Sequence, residues 1–260
     1  MENLLTVDIG NTTLGFGIFR GRRLQRTFRL PTPRTDSRRD LRAGLRRSLG
    51  SARGAWAGVV FASVVPRLDR VVRAETARFC RAPVLTVTPK TALPLGNAYR
   101  PPRAVGADRI VNALAAVTEF GAPVLVADFG TAITVDAVSR DRQYLGGAIL
   151  PGLELAAEAL YCGTALLPRA RLTAPGPVLG RDTQASLRSG LLYGTADAVA
   201  GLVARMRRKL GPRTPVVATG GLAGRILPHC PVLKVVRPDL THYGLRLAWE
   251  YTRAFARRRP

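Results

Sequence analysis

Three glycine-bearing segments carry residue types suited to handling phosphate. Asp8-Ile9-Gly10-Asn11-Thr12-Thr13 follows one apolar run, and Asp128-Phe129-Gly130-Thr131-Ala132 follows another. In a strand-turn-strand of this kind, glycine lets the backbone approach a phosphate closely, and the Asn or Thr after it adds donors. The aspartate suits a hydrated magnesium ion, which keeps several waters and takes only one or two carboxylates. Two such turns facing one another would clamp a nucleoside triphosphate, whereas each alone also reads as an ordinary β-turn. The third segment, Val216-Val217-Ala218-Thr219-Gly220-Gly221-Leu222-Ala223, reads as strand, tight turn and helix start. Bare backbone there would pack against a flat adenine, or simply close a strand-to-helix turn.

A fourth segment, Gly106-Ala107-Asp108-Arg109, sits where a proline-rich loop enters a helical pattern. An aspartate at a helix start serves as cap or dipole partner. With Arg109 beside it, the pair also suits substrate capture: the guanidinium fork grips a carboxylate at two points, and Asp108 abstracts a proton. Competing chemistries find little support. No Gly-x-x-x-x-Gly-Lys-Ser/Thr loop occurs, and no Gly-x-Gly-x-x-Gly follows a first strand. His229 and His242 are the only histidines, without a Gly-x-Ser-x-Gly elbow. Cys80, Cys162 and Cys230 lie far apart, form no Cys-x-x-Cys pair, and read as buried free thiols.

The elements that must position these residues follow from periodicity. Strands are expected at 4–8, 14–19 and 24–30, joined by a turn at Gly21, then a helix over 37–49 with Leu41, Leu45 and Leu49 on one face. Asp36, Ser37 and Asp40 supply acceptors near its start. A strand at 57–63, a helix over 67–80 and a strand at 84–87 complete an α/β layer pattern. After the 89–105 loop come a helix over 108–120 and a second meander at 124–128, 133–138 and 144–150. Helices over 153–160 and 183–209, strands at 216–218 and 232–236, and a last helix over 244–257 finish the chain. The two Asp-x-Gly segments lie 120 residues apart, and each enters a three-strand meander, which points to an internal duplication. The expected halves are 1–112 and 113–260, facing each other across a cleft.

The 260 residues, 47% of them hydrophobic, suffice for one large or two small cores. No apolar run reaches the roughly 18 residues of a membrane span, and Met1-Glu2-Asn3 lacks the basic region of a signal peptide, so a cytoplasmic protein is expected. The formal net charge of +23 raises the question of a nucleic-acid partner. Lysine, however, occurs only at Lys90, Lys209 and Lys234, and the arginines scatter in short clusters such as Arg22-Arg23, Arg46-Arg47 and Arg257-Arg258-Arg259. None is interleaved with aromatic residues that would stack bases, so a solvated basic exterior is the expected reading.

Taken in order, Asp8 to Thr12, Ser63-Val64-Val65-Pro66, Gly106 to Arg109, Asp128 to Ala132, and Thr219-Gly220-Gly221 resemble the five motifs of the type III pantothenate kinases. The likeness extends from Asp8 to about Gly244. The resemblance implies a duplicated actin-like (ribonuclease H-like) ATPase fold, with two lobes of mixed sheet flanking a nucleotide cleft. It also implies ATP-dependent phosphorylation of pantothenate, the first step of coenzyme A biosynthesis, in a homodimer using Mg2+ and K+ or NH4+. By the same resemblance, Asp108 is the general base, and Tyr99, Gly106, Ala107, Arg109 and Thr183 bind pantothenate. Asp8, Ile9, Gly10, Asn11, Thr12, Thr13, Thr131, Gly220 and Gly221 contact the nucleotide. Asp128 holds the monovalent cation, and Asp8 holds magnesium through water. Two departures touch the substrate contacts: Asp182-Thr183 stands where Asn-Thr is common, and Arg100-Pro101-Pro102-Arg103 carries extra charge. The alternatives are a kinase of a sugar-like hydroxyl on the same fold, or a non-catalytic regulator binding nucleic acid.

Overall fold

The computed structural model describes residues 2–33, 38–50, 55–173 and 176–257. It divides into two compact units, 1–115 with 239–260, and 116–238.

In the first unit, β1 (Asn3–Ile9), β2 (Thr13–Arg20) and β3 (Arg23–Pro31) form the expected meander, and β4 (Trp56–Ser63) and β5 (Val84–Thr86) extend it in parallel to give the order β3-β2-β1-β4-β5. Strand alternation sends Leu5, Val7, Ile9, Leu14, Phe16 and Ile18 into one core. Helix α1 (Arg38–Leu49) seals that core with Leu41, Leu45 and Leu49, and α2 (Pro66–Ala77) does so with Leu68, Val71 and Val72. Asp36 and Ser37, expected to lie near the start of α1, fall outside the described residues, as do Arg258 and Arg259. The long loop holds a two-residue strand, β6 (Gly96–Asn97), and leads into α3 (Ala107–Phe120), which runs past the end of the unit at Ala115.

The second unit repeats the plan. β7 (Val124–Phe129), β8 (Ala132–Val138) and β9 (Gln143–Pro151) are antiparallel neighbours, while β10 (Val216–Thr219) and β11 (Val235–Val236) extend the sheet in parallel on the other side of β7. Strand for strand, β9-β8-β7-β10-β11 matches β3-β2-β1-β4-β5. Helices α4 (Leu153–Cys162), α5 (Thr183–Leu210) and the single turn α6 (Ala223–Ile226) supply Leu153, Leu192, Val199 and Ile226 to its core. The two hairpins differ by one residue. Ile9 pairs with Leu14 across the first turn, but Phe129 pairs with Ile133 across the second, so the offset of 120 becomes 119 after the turn.

Three expectations need correction. The last helix, α7, spans Leu240–Arg257, one turn longer than read from the sequence, and it groups with the first unit rather than with the second half. The reason is a face of the first sheet opposite its core, where Gly15, Gly17 and Gly58 leave room for large α7 side chains. A Cβ added at Gly58 would lie 2.2 Å from the Trp249 ring, and one at Gly17 would lie 2.9 Å from His242 Cγ. The strand expected at 232–236 keeps only its last two residues, because β11 pairs with β10 at just two positions. Cys80 and Cys230 are buried, but Cys162, at the end of α4, is exposed.

Candidate functional site

The first phosphate-type turn is built by strand ends. The Gly10 amide donates to Thr13 O at 3.1 Å, and the end of β3 locks the loop from outside: Thr32 Oγ1 donates to Gly10 O at 2.7 Å and Thr32 N to Thr12 O at 2.9 Å. A Cβ at Gly10 would come within 2.9 Å of Thr13 O, so the turn needs glycine there. Asn11, Thr12 and Thr13 are exposed, and Asp8 is half-buried on the face that carries Thr6 and Gly15.

Ser63 to Pro66 leaves the end of β4 directly beside this turn. Val64 N donates to Ile9 O at 3.0 Å, Val65 N is held by Ser63 Oγ at 3.1 Å, and Pro66 opens α2, where its missing N–H costs nothing. On its other side, Val64 Cγ1 lies 3.3 Å from where a Gly106 Cβ would sit. The Ser-Val-Val-Pro segment thus joins the Asp8 turn to the Gly106–Arg109 segment within one unit.

Asp108 occupies the first turn of α3, one residue inside the helix rather than at its cap, and its Oδ1 accepts from the Arg109 amide at 2.9 Å. The same oxygen lies 2.2 Å from the position of a Gly106 Cβ, so only glycine lets the carboxylate lie over the loop. Arg109 is buried at 8% exposure, its guanidinium 5.8 Å from the Tyr99 ring centroid. Tyr99 is itself held by Asn97, whose Oδ1 accepts from Tyr99 N at 3.1 Å while its Nδ2 donates to Pro102 O at 3.0 Å. The sequence reading missed Asn97; the only signal for it is the turn chemistry of an asparagine in a proline-rich loop.

In the second unit, the Gly130 amide donates to Ala132 O at 3.2 Å, Gly152 N to Thr131 O at 3.0 Å, and Leu222 N to Phe129 O at 3.2 Å. Asp128 pairs in register with Thr219, and the Thr219-Gly220-Gly221 turn folds directly over it. Gly220 has φ +92°, and a Cβ there would lie 2.5 Å from Asp128 Oδ1. Asp128 and Gly220 are therefore neighbours, with Gly221 next in the same turn, while the Thr131 carbonyl in the β7–β8 turn is held by Gly152 N. Beyond the turn, a cavity of about 490 Å³ is lined by Leu172, Thr173, Leu192, Arg225, Pro228 and His229, against α6 and α5. Thr183 belongs elsewhere in the unit. It opens α5 behind the Asp182 cap, whose carboxylate accepts from Ala185 N at 2.8 Å, and lines a cavity of about 320 Å³ with Leu160, Ser186 and Leu187.

Among the described residues, no group of three or more His, Cys, Asp or Glu side chains gathers to cage a metal. Single carboxylates beside glycine turns, at Asp8 and Asp128, instead fit cations that share their coordination with water and phosphate oxygens. No helix among the described residues is long and apolar enough to cross a membrane.

A family model described as type III pantothenate kinase matches residues 4–205. The type III pantothenate kinase of Thermomicrobium roseum is 42% identical over 250 residues, covering 95% of this chain and 96% of that one. Among solved structures, the activator of 2-hydroxyisocaproyl-CoA dehydratase from Clostridium difficile, with bound ADPNP, aligns with a TM-score of 0.53 at 13% identity, covering 97% of each chain. The inorganic polyphosphate/ATP-glucomannokinase of Arthrobacter aligns with a TM-score of 0.50 at 16% identity, covering 98% of this chain and 100% of that one. At these identities the structural likenesses show the fold alone, that of the actin-like ATPases and sugar kinases.

Proposed function

Because this chain belongs to the type III pantothenate kinase family, we propose that it transfers the γ-phosphoryl group of ATP to the primary hydroxyl of pantothenate, yielding 4′-phosphopantothenate for coenzyme A synthesis. The observation that carries this reading is the family match over 4–205, which takes in Asp8, Asp108 and Asp128 with the loops around them.

Phosphoryl transfer passes through a loose transition state, so catalysis rests on positioning and charge neutralisation more than on strong bases. In our reading, the backbone from Asp8 to Thr13 and Thr131 hold the phosphates, and Gly220 and Gly221 lie against the nucleoside. The nearby cavity under α6 has walls suited to a nucleobase. Asp108 accepts the proton of the attacking hydroxyl, Arg109 grips the pantothenate carboxylate, and Gly106, Ala107, Tyr99 and Thr183 complete the substrate contacts. Asp8 would hold Mg2+ through water and Asp128 a monovalent cation, K+ or NH4+. When bound, these ions would neutralise charge on the phosphates. The protein acts in the cytoplasm as a homodimer. Exposed Leu155, Leu160 and Tyr161 on α4, with Leu166, Val178 and Leu179 in the loop after it, support a partner surface.

The test is direct. Purified protein with ATP and Mg2+, in K+ or in Na+, is assayed for 4′-phosphopantothenate by mass. Product in K+ that falls sharply in Na+ is expected. Phosphorylation of a sugar panel without product from pantothenate would overturn the substrate assignment.

A further inference from the structure

The first turn of α7 touches both halves of the proposed machinery in the first unit. On one side, Thr6 Oγ1 donates to Gly17 O at 3.1 Å and meets His242 Nδ1 at 2.9 Å. A carbonyl only accepts, so the hydroxyl's single proton goes to Gly17 and the imidazole must donate through Nδ1–H. His242 is 7% exposed and lies along the glycine side of the hairpin. A Cβ at Gly15 would be 3.4 Å from His242 Nε2 and 3.6 Å from Asp8 Cβ, which sets the ring next to the base of the Asp8 turn. On the other side, Thr241 Oγ1 donates to Asn112 Oδ1 at 2.8 Å. Gly244 brings the α7 backbone against Val111 of α3, where an added Cβ would be 2.0 Å from Val111 O. Asn112 and Val111 lie one turn beyond Asp108 and Arg109 on the same helix.

We infer that Thr241 and His242 are positioning residues, which set the base-bearing helix α3 at its working distance from the Asp8 phosphate turn. The family match ends at residue 205 and does not include them. The inference rests on the proposed roles of Asp8 and Asp108. Its physical basis is that transfer in line needs the hydroxyl oxygen and the phosphorus in near-attack geometry. A displacement of about 1 Å, even from a remote change, costs on the order of 10²-fold in rate. A buried side chain fixed by a directional hydrogen bond to β1, with its neighbour bonded to α3, supplies that rigidity.

The variants are His242→Phe, which fills the space without a donor; His242→Asn, which restores a donor near the Nδ1 position; and Thr241→Val, nearly isosteric without the hydroxyl. Each is measured against the folded fraction, well below its melting temperature. The readouts are kcat and KM for both substrates and the ratio of phosphopantothenate formed to ADP released. His242→Phe should lower kcat by about 10- to 100-fold with both KM values within about threefold of wild type. The product-to-ADP ratio should fall, because phosphate is lost to water when the acceptor is misplaced, and His242→Asn should recover most of the loss. Thr241→Val should show a smaller loss of the same kind, and it carries the test if His242→Phe does not fold. Folded variants with wild-type kcat and ratio would overturn the inference, as would a loss in which product and ADP fall together. Wild-type enzyme that makes no phosphopantothenate would instead overturn the reaction assignment.

Discussion

Asp108 and Arg109 face different tasks from adjacent positions on α3, and the structure separates them. Asp108 is half-buried with its Oδ1 lying over Gly106, whereas Arg109 is buried with its guanidinium beside Tyr99. A loose transition state asks little of a base, so removing Asp108 costs rate without costing nucleotide affinity. We expect Asp108→Ala to lose about 10²- to 10⁴-fold in kcat, with ATP-analogue affinity by calorimetry within about threefold of wild type. Near-normal turnover would remove Asp108 from the base role. These residues were legible in the sequence because Asp, Gly and Arg in tight spacing at a helix start are chemically conspicuous. Asn97, Asn112 and His242 were not. Each is an isolated polar residue, and the last two find partners 129 and 236 positions away, Asn112 with Thr241 and His242 with Thr6. Local spacing carries no signal for such pairs.

At the scale of elements, strand and helix periodicity located most of the structure. The errors fell where glycine or an edge decided the outcome. Gly244 reads as a boundary when taken alone, since glycine destabilises a helix interior by about 1 kcal/mol. In the fold it is an interior contact against Val111, and α7 begins at Leu240. Gly220 is the reverse case, a glycine whose role in the turn was visible but whose contact was not. At φ +92° it leaves no room for a Cβ beside Asp128 and Phe129, so Gly220→Ala meets an unfavourable backbone region and a 2.5 Å contact with the Asp128 carboxylate. The variant should lose about 1–3 kcal/mol of stability and raise the KM for ATP at least tenfold, read by thermal melting and ATP titration. An unchanged KM for ATP in a folded protein would separate this turn from nucleotide binding.

At the scale of the molecule, the duplication seen as two Asp-x-Gly meanders is carried through five strands of the same order in each sheet, and the sequence showed it because the motif sits at the same place in both. The division at 112 was less legible. It assumed that a unit is contiguous, whereas α7 returns to the first sheet because glycines on β2 and β4 make room for it. That return buries His242, and burial, with Arg29 nearby, lowers its pKa to about 4. Between pH 6.5 and 4 the unfolded chain therefore binds the proton that the folded chain refuses, and stability present above 6.5 is lost as pH falls toward 4. Glu75, buried in α2 and bonded to Arg42 at 2.8 and 3.0 Å, has its pKa lowered chiefly by that hydrogen bond. Its contribution is present above 4.5, the ordinary value, and is lost as pH falls further through the folded value. The net charge of +23 acts in the same direction, since protonating carboxylates leaves the cationic surface still less compensated and increases self-repulsion. Urea unfolding should thus show stability falling from pH 7 to pH 4, with added salt recovering part of the loss by screening. His242→Phe should flatten the curve between pH 6.5 and 4.5 but leave the carboxylate-linked fall below 4.5, and a variant that keeps the full wild-type slope between 6.5 and 4.5 would show that His242 is not the group being protonated.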